Sequence, residues 1–306
     1  RGAQPGGVKL GLKIDVDTLR GSREGVPLLV RALRARGAGA TFLFSLGPDH
    51  TGRAIRRVLR RGFVGKVART SVLEHYGLRT LLYGTLLPGP DIGRRCAAEL
   101  RAARDAGFEA GVHCWDHVRW QDGVAGADAD WTGRELDSAC ARFREIFGAE
   151  ARVHGAAGWQ TNAHALRYLD RHGFAYASDT RGSGPFLPAM EGQVFTCPQW
   201  PTTLPTLDEL VGVDGRTPQD AVRDIHALTA TPKAEQVFTA HAELEGGKLL
   251  PAFEALLDDW SRQGYEIVAL RVLAATRAAQ QLPVHEVVYG AVPGRSGTLA
   301  LQGPKK

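Results

Sequence analysis

The feature that most constrains this chain is a repeated alternation between short β-rich segments and longer helical segments. Residues 8 to 16 form an apolar, β-branched run that ends in acidic residues, and an amphipathic helical pattern follows at residues 25 to 36. The further predicted strands are residues 40 to 47, 108 to 113, 152 to 154, 174 to 178, 236 to 241 and 265 to 270. Strands separated by helices pair in parallel, so the sequence predicts an α/β fold with a parallel sheet covered by helices.

Polar side chains capable of chemistry fall at or just after the ends of four predicted strands. They are Asp15 and Asp17, His113 and His117, Asp179 and Arg181, and His241 and Glu243. The carboxyl ends of parallel strands meet at one face of an α/β barrel, where active sites assemble. We therefore expect these residues to come together from distant parts of the chain.

Two short motifs within this set predict a metal site. His113 and His117 are four residues apart, so one helical turn places both imidazoles on one face. Asp15 and Asp17 are two apart on extended backbone, so their carboxylates point the same way. Two histidines and one carboxylate leave positions on a divalent ion for a water and a carbonyl, and the second carboxylate could deprotonate that water. The alternative is that the aspartates are helix N-caps and the histidines are ordinary loop residues.

Three runs resemble the polysaccharide deacetylase (NodB homology) family. KIDVDT, HCWDH and TAHAE are similar, in order, to its acidic motif, its His-x-x-x-His motif and its late histidine motif. The resemblance spans residues 8 to 272 and implies a distorted (β/α) barrel that hydrolyses an amide with one divalent metal ion, such as zinc, cobalt or manganese. The implied roles are metal ligands for Asp17, His113 and His117, general base for Asp15, general acid for His241, and orientation of that histidine for Asp179.

The chain departs from this family at two positions. The family carries an arginine that positions the base, and Gly155 occupies the matching place here. We expect Arg181, in the neighbouring SDTRG run, to replace that arginine. The family also tends to have a leucine two residues before the late histidine, where this chain has Thr239. The threonine would give the pocket for the acyl group a smaller, more polar wall, which is compatible with a formyl group.

Further runs resemble a branch of the family that removes a formyl group from an aminoarabinose on undecaprenyl phosphate. They are IDVDTLRGSREGVP, FSLGPDHTGR, VHCWDH, GAAGW, SDTRG, LPT and HAELEG. This resemblance implies a linear amide deformylase with a lipid-linked sugar substrate, acting in lipid A modification and polymyxin resistance. The alternatives are a polysaccharide or chitin N-deacetylase and a catalytically inactive lipid-binding relative.

A basic, apolar insertion is predicted at about residues 48 to 93. Between residues 50 and 73 the chain has seven basic residues and no acidic one, which exceeds its formal net charge of +5. Such a segment could lie on an anionic membrane through residues 50 to 87, or bind a lipid phosphate. The alternative is a packed helical excursion with a solvated arginine face. Nucleic acid is not an expected partner, because few aromatic residues are interleaved with these arginines.

The predicted domain is residues 8 to 275, followed by a partly disordered C-terminal extension at 276 to 306 in which Gly and Pro recur. The four cysteines have no CxxC spacing, which favours a reducing compartment. Neither a signal peptide nor a membrane-spanning apolar run is recognised in the sequence. We therefore expect a cytoplasmic protein that is peripheral on the inner membrane.

Overall fold

A computed structural model of the protein describes residues 7–53, 80, 82–231, 234–277 and 282–306. Most of the predicted basic insertion lies outside these residues. Of its seven basic side chains, only Arg53 is among them. The predicted order of strands and helices is found along the rest of the chain.

The main sheet is parallel and has the strand order β5-β4-β3-β2-β1-β8, with β9 also paired to β1. Its strands are β1 (Lys9–Val16), β2 (Thr41–Ser45), β3 (Glu109–Cys114), β4 (Val153–His154), β5 (Tyr176–Ala177), β8 (Gln236–His241) and β9 (Glu266–Val268). The interior of β1 is buried on both faces, as expected for a strand between two layers.

An irregular segment lies between the two edge strands β5 and β8 of this order. Trp200 donates its backbone N–H to the carbonyl of Ala177 in β5 at 2.7 Å. Thr203 donates to the carbonyl of Val237 in β8 at 3.0 Å. Residues 199 to 204 therefore connect both sides of the curled sheet, which makes the barrel a distorted one.

Helices cover the outside of the sheet. They are α1 (Val26–Ala35), α2 (Ile92–Arg95), α3 (Ala97–Asp105), α4 (His117–Gly123), α5 (Ala129–Phe147), α6 (Ala163–Arg171), α7 (Leu207–Leu210), α8 (Pro218–Thr229), α9 (Leu250–Arg262) and α10 (Leu270–Arg277). The apolar stripe of α1, which includes Leu29 and Leu33, packs into the main core. From the sheet side, Phe42 and Phe44 of β2 pack into the same core, with their rings stacked at a centroid distance of 6.1 Å.

The C-terminal extension expected to be partly disordered, residues 276 to 306, includes two strands of a second, smaller sheet, at residues 284 to 290 and 299 to 305. Strands β6 (Leu187–Met190), β7 (Gln193–Val194), β10 (Val284–Gly290) and β11 (Leu299–Lys305) form this sheet in the order β11-β10-β6-β7. Val287 and Ala300 are buried against Phe186 and Phe195. This apolar contact orders the terminus despite its glycine and proline residues, since burial of such side chains offsets the entropy of ordering.

No helix in the described part of the chain is both long and apolar enough to cross a membrane.

Candidate active site

The predicted metal ligands come from the ends of β1 and β3, which lie on either side of β2 in the sheet. Asp17 follows β1, and His113 lies near the end of β3. His117 is the first residue of α4, whose N-cap Asp116 accepts a hydrogen bond from the backbone of Arg119 at 3.1 Å. An aspartate is a favoured N-cap because it satisfies a free N–H of the first helical turn. The cap therefore fixes where the helix starts and where His117 points.

The carboxylate of Asp17 lies between the two imidazoles. Its Oδ1 is 3.2 Å from Nε2 of His113, and its Oδ2 is 3.3 Å from Nε2 of His117. One ligand atom from each of the three residues lies within 4.8 Å of the others. The predicted convergence of these side chains is therefore found in the structure.

The donor atoms of this cluster fit a cation. Nδ1 of His113 donates to the carbonyl oxygen of Gly155 at 2.6 Å, which leaves Nε2 with its lone pair facing Asp17. Oδ1 of Asp17 is buried without a hydrogen-bond partner. Two electron-rich atoms that face each other in a buried site need a proton or a metal ion between them. Two imidazoles and a carboxylate are ligands that divalent transition metals accept.

Burial and the neighbouring charges shift the pKa values of all three side chains. Burial raises the pKa of Asp17, but the neighbouring His117 and His113 outweigh this effect and hold the pKa well below its ordinary value. Burial lowers the pKa of His113, and the carboxylates of Asp15 and Asp17 reverse that change and raise it overall. The pKa of His117 is lowered, mainly by burial. Asp17 is thus an anion at neutral pH, as a ligand must be.

Asp15 and His241 meet beside this cluster. They are partners in the register of the parallel pair β1 and β8. Oδ1 of Asp15 is 3.9 Å from Nδ1 of His113 and has no hydrogen-bond partner, although it is buried. Its Oδ2 lies 3.4 Å from the ammonium of Lys13. A carboxylate and an imidazole therefore lie side by side at these strand ends.

The predicted role of Asp179 does not match its contacts. Its Oδ1 accepts hydrogen bonds from Nδ1 of His154 at 2.7 Å and from the backbone of Ala156 at 2.9 Å. The carboxylate that faces His241 is Asp208, with its Oδ1 3.8 Å from Nδ1 of the imidazole. Burial raises the pKa of Asp208, but Arg295 and His241 outweigh this effect and lower it. Asp179 instead joins the loop after β5 to the end of β4 through these two hydrogen bonds.

Arg181 is likewise engaged away from Asp15. Its guanidinium forms an ion pair with Glu209 and donates to the carbonyl of Leu204 at 2.9 Å. In the described part of the chain, no ion pair joins it to Asp15. The expected replacement of the family arginine by Arg181 therefore has no contact to support it.

Two glutamates follow His241 in the HAELEG run, and both are buried. Glu243 approaches the backbone N–H of Asp17 at 3.5 Å, and its pKa is raised well above the ordinary value by burial and by Asp17. Glu245 accepts a hydrogen bond from the backbone of His241 at 2.7 Å. Burial raises the pKa of Glu245 to about 7. Both side chains therefore contact the backbone beside the site, Glu243 at Asp17 and Glu245 at His241.

Three residues of the site were not predicted from the sequence: Lys13, Asp208 and Trp159. The signal for Lys13 is a lysine inside a mostly apolar strand, two residues before Asp15. Asp208 directly follows the LPTL run, and only spatial packing brings it to His241. The ring of Trp159 lies edge-on to His241, with centroids 6.2 Å apart.

Two relatives resemble the chain over nearly its whole length. A protein of Shewanella sediminis (strain HAW-EB3) is 37% identical over 96% of this chain and 94% of its own. A protein of Wigglesworthia glossinidia brevipalpis is 31% identical over 92% of this chain and 98% of its own. Both are named as probable 4-deoxy-4-formamido-L-arabinose-phosphoundecaprenol deformylase ArnD. No family model matches the chain.

Solved structures share the fold. A protein of Mycobacterium smegmatis described as a polysaccharide deacetylase superposes with a TM-score of 0.64 at 17% identity, over 95% of this chain and 98% of its own. The Xyl-CE4 domain of a xylanase from the hindgut metagenome of Trinervitermes trinervoides gives a TM-score of 0.54 at 11% identity, over 91% and 96%. The predicted deacetylase-type barrel is thereby confirmed. From the sequence similarity, the chain belongs to the ArnD family of 4-deoxy-4-formamido-L-arabinose-phosphoundecaprenol deformylases.

Proposed function

We propose that this protein hydrolyses the formamide of 4-deoxy-4-formamido-L-arabinose carried on undecaprenyl phosphate, releasing formate and leaving a free amine on the sugar. The observation that carries the proposal is the meeting of the Asp17, His113 and His117 cluster with Asp15 and His241 at one end of the sheet. The two relatives that cover most of the chain are named for this substrate. A polysaccharide N-deacetylase remains the alternative, supported by fold alone.

In this proposal Asp17, His113 and His117 hold one divalent cation, and zinc, cobalt and manganese all suit two imidazoles and a carboxylate. Bound there, the cation supplies Lewis acidity toward a carbonyl and toward water. The carbonyl of Gly155 holds the His113 ring in the orientation that presents Nε2.

Asp15 and His241 divide the proton transfers between them. Asp15 accepts a proton from the water that attacks the formyl carbon, and its unpartnered Oδ1 is the atom suited to take it. As the carbon–nitrogen bond breaks, His241 donates a proton to the sugar nitrogen, which leaves as the amine. Asp208 faces Nδ1 of His241, which leaves Nε2 for the substrate.

The wall beside these groups is compatible with a formyl group. Thr239 lies two residues before His241 and is fully buried. Its hydroxyl hydrogen-bonds with that of Thr202 at 2.7 Å, and Thr202 accepts a hydrogen bond from the indole of Trp159 at 3.1 Å. These contacts hold Thr239 in a small, polar wall, whereas a leucine would offer an apolar surface suited to an acetyl methyl group.

The reaction is tested by incubating the purified protein with a formamido-arabinosyl polyprenyl phosphate, with and without a chelator. Mass spectrometry should detect loss of the formyl group only when metal is available. An N-acetylated chitooligosaccharide serves as the parallel substrate. Turnover of that oligosaccharide together with an untouched formamide would replace the proposal by the polysaccharide deacetylase alternative, and no turnover of either substrate by metal-loaded protein would favour an inactive relative.

We further propose that the protein works at the cytoplasmic face of the inner membrane and contacts anionic lipid through residues 50 to 87. At the end of this segment, Leu86 and Leu87 are 80% and 41% exposed, and an interfacial position would cover both side chains. The seven basic residues add electrostatic attraction, about 1 kcal/mol for each one near an anionic surface. A polyprenyl phosphate is itself an anionic lipid, so a basic segment suits the proposed substrate.

Vesicle sedimentation tests the membrane contact. The protein should sediment with phosphatidylglycerol-containing vesicles and less so as salt is raised. Changing Arg56, Arg57, Arg60 and Arg61 to Glu should abolish binding. The matched control changes four exposed arginines on helices α1, α5 and α6 (Arg31, Arg34, Arg134 and Arg171) to Glu, which alters the net charge equally. Equal loss in both variants would mean that net charge, and not this segment, causes the binding.

A further inference from the structure

Lys13 is a fully buried lysine in the strand that carries Asp15. It is among the largest completely buried side chains of the protein, in a position where an ammonium ion is costly to place. Residues 13 and 15 lie on the same side of β1, because side chains two apart on a strand point the same way. A lysine so placed needs compensating partners, and their identity indicates what it does.

Three groups surround the ammonium of Lys13. It donates a hydrogen bond to the backbone carbonyl of Ser178 at 3.0 Å. It lies 3.4 Å from Oδ2 of Asp15. It also sits over the ring of Trp159, 5.3 Å from the centroid, at a distance suited to a cation–π contact. The carbonyl and the ring anchor the ammonium from outside β1, so its position does not depend on Asp15 alone.

The two oxygens of Asp15 therefore have different surroundings. Oδ2 faces Lys13, whereas Oδ1 is buried without a hydrogen-bond partner and faces His113 at 3.9 Å. Among the described residues, Lys13 is the one lysine or arginine within 4 Å of this carboxylate. The lysine thus fixes the direction of the carboxylate while leaving its second oxygen available.

Gly155, directly after β4, has no side chain that could place a cation beside Asp15. A Cβ on Gly155 would lie 3.5 Å from Nζ of Lys13 and would collide with the side chain of Leu43. The space next to Asp15 that a side chain from position 155 would enter is already taken by Lys13 and Leu43. The cation beside the carboxylate comes instead from two residues earlier on its own strand.

We propose that Lys13 is the positioning residue for Asp15: its buried ammonium holds one carboxylate oxygen and leaves the other free to take the proton of the attacking water. This inference rests on the proposed function, in which Asp15 is the base. Because the pair is local to β1 and anchored by Ser178 and Trp159, the orientation of the base is set before substrate binds.

The test compares Lys13→Met, which keeps length and removes the charge, with Lys13→Arg, which keeps a charge. Lys13→Met should lower kcat on the formamide lipid by about 10²-fold, the scale of a misplaced acid-base group, with KM within about threefold. Metal content should stay unchanged, because Lys13 is not a ligand. Lys13→Arg should recover at least about tenfold of the loss. Lys9→Met, at the start of the same strand, is the matched control and should retain the wild-type kcat.

A double-mutant cycle separates this inference from the proposed function. If Lys13 acts through Asp15, adding Lys13→Met to Asp15→Asn should not reduce the residual rate further. Loss of kcat in Asp15→Asn with kcat retained in Lys13→Met overturns the inference and leaves the function intact. Full kcat in Asp15→Asn removes Asp15 as the base and overturns the inference, while absence of turnover by the metal-loaded wild type overturns the proposed function. Lys13→Gln, which can still donate to Ser178, replaces Lys13→Met if the latter fails to fold. An arginine variant no faster than the neutral one would refute charge as the cause.

Discussion

Asp15 and His241 face each other across two adjacent parallel strands, and the backbone carbonyl of Asp15 accepts a hydrogen bond from Ala242 at 2.9 Å. The backbone of β1 and β8 therefore fixes the separation between the proposed base and the proposed acid. Groups held on strands are placed more firmly than groups on loops, which suits a reaction that needs both in one geometry.

Asp15→Asn should abolish turnover without loss of the metal. The amide is close to the size of the carboxylate but cannot accept the proton of the attacking water at neutral pH. We expect kcat to fall by at least about 10²-fold, while elemental analysis finds wild-type metal content. Asp214→Asn, on an exposed turn far along the chain, should behave as wild type. Turnover near wild type in Asp15→Asn would remove this residue as the base.

His113→Gln should lose the metal ion. The variant removes the imidazole that faces Asp17 and also the hydrogen bond to Gly155 that orients it. Metal content after dialysis should fall well below that of the wild type, and activity should fall in parallel. His172→Gln, which alters a histidine stacked on Tyr168 in α6's C-terminal region, is the control. Wild-type metal content in His113→Gln would refute the assignment of this ligand.

The residues that could be predicted from the sequence share one property: they stand at strand ends. A parallel sheet brings strand ends together whatever the loops do, so Asp17, His113 and His117 could be placed without coordinates. Asp208 could not, because it lies in the first turn of the short helix α7, and the path of the irregular segment before that helix brings it to His241. A loop's path depends on packing that leaves no periodic pattern in the sequence.

The second sheet escaped prediction for a related reason. Strand β10 pairs with β6, almost a hundred residues earlier in the chain, so nothing local specifies the pairing. The strands β6 and β7 are short, and β6 contains a proline. Lys13 was missed because a lone charged residue in a strand is ordinarily exposed, and only the coordinates place it beside Asp15 and Trp159.

His241→Ala should reduce kcat by about 10² to 10⁴, the usual contribution of one acid-base group. Asp208→Asn should reduce it less, because the histidine remains and loses only the carboxylate that faces Nδ1. A formanilide has a better leaving group than an alkyl amine and therefore depends less on protonation by an acid. The loss of kcat in His241→Ala should be smaller with this substrate. An undiminished deficit with that substrate would count against His241 as the proton donor.

Glu245→Gln should flatten the dependence of stability on pH. Burial raises the pKa of Glu245 from 4.5 to about 7, so the folded protein holds this proton over a range where the unfolded chain has released it. The stability of the wild type therefore falls as pH rises from about 4.5 to about 7, by up to roughly 3 kcal/mol from this group. The neutral glutamine removes that loss, so the variant should gain most stability over the wild type at pH 8.

The measurement is urea unfolding at pH 5 and pH 8 for the wild type and the variant, both kept free of metal by a chelator so that pH-dependent metal binding does not contribute. Glu266→Gln, on the exposed side of β9, provides the control and should leave the pH dependence unchanged. His241 lowers and Asp208 raises the pKa of Glu245, and both residues are present in the two proteins. A variant whose stability changes with pH as steeply as that of the wild type would show that Glu245 is already ionised at pH 5 in the folded protein.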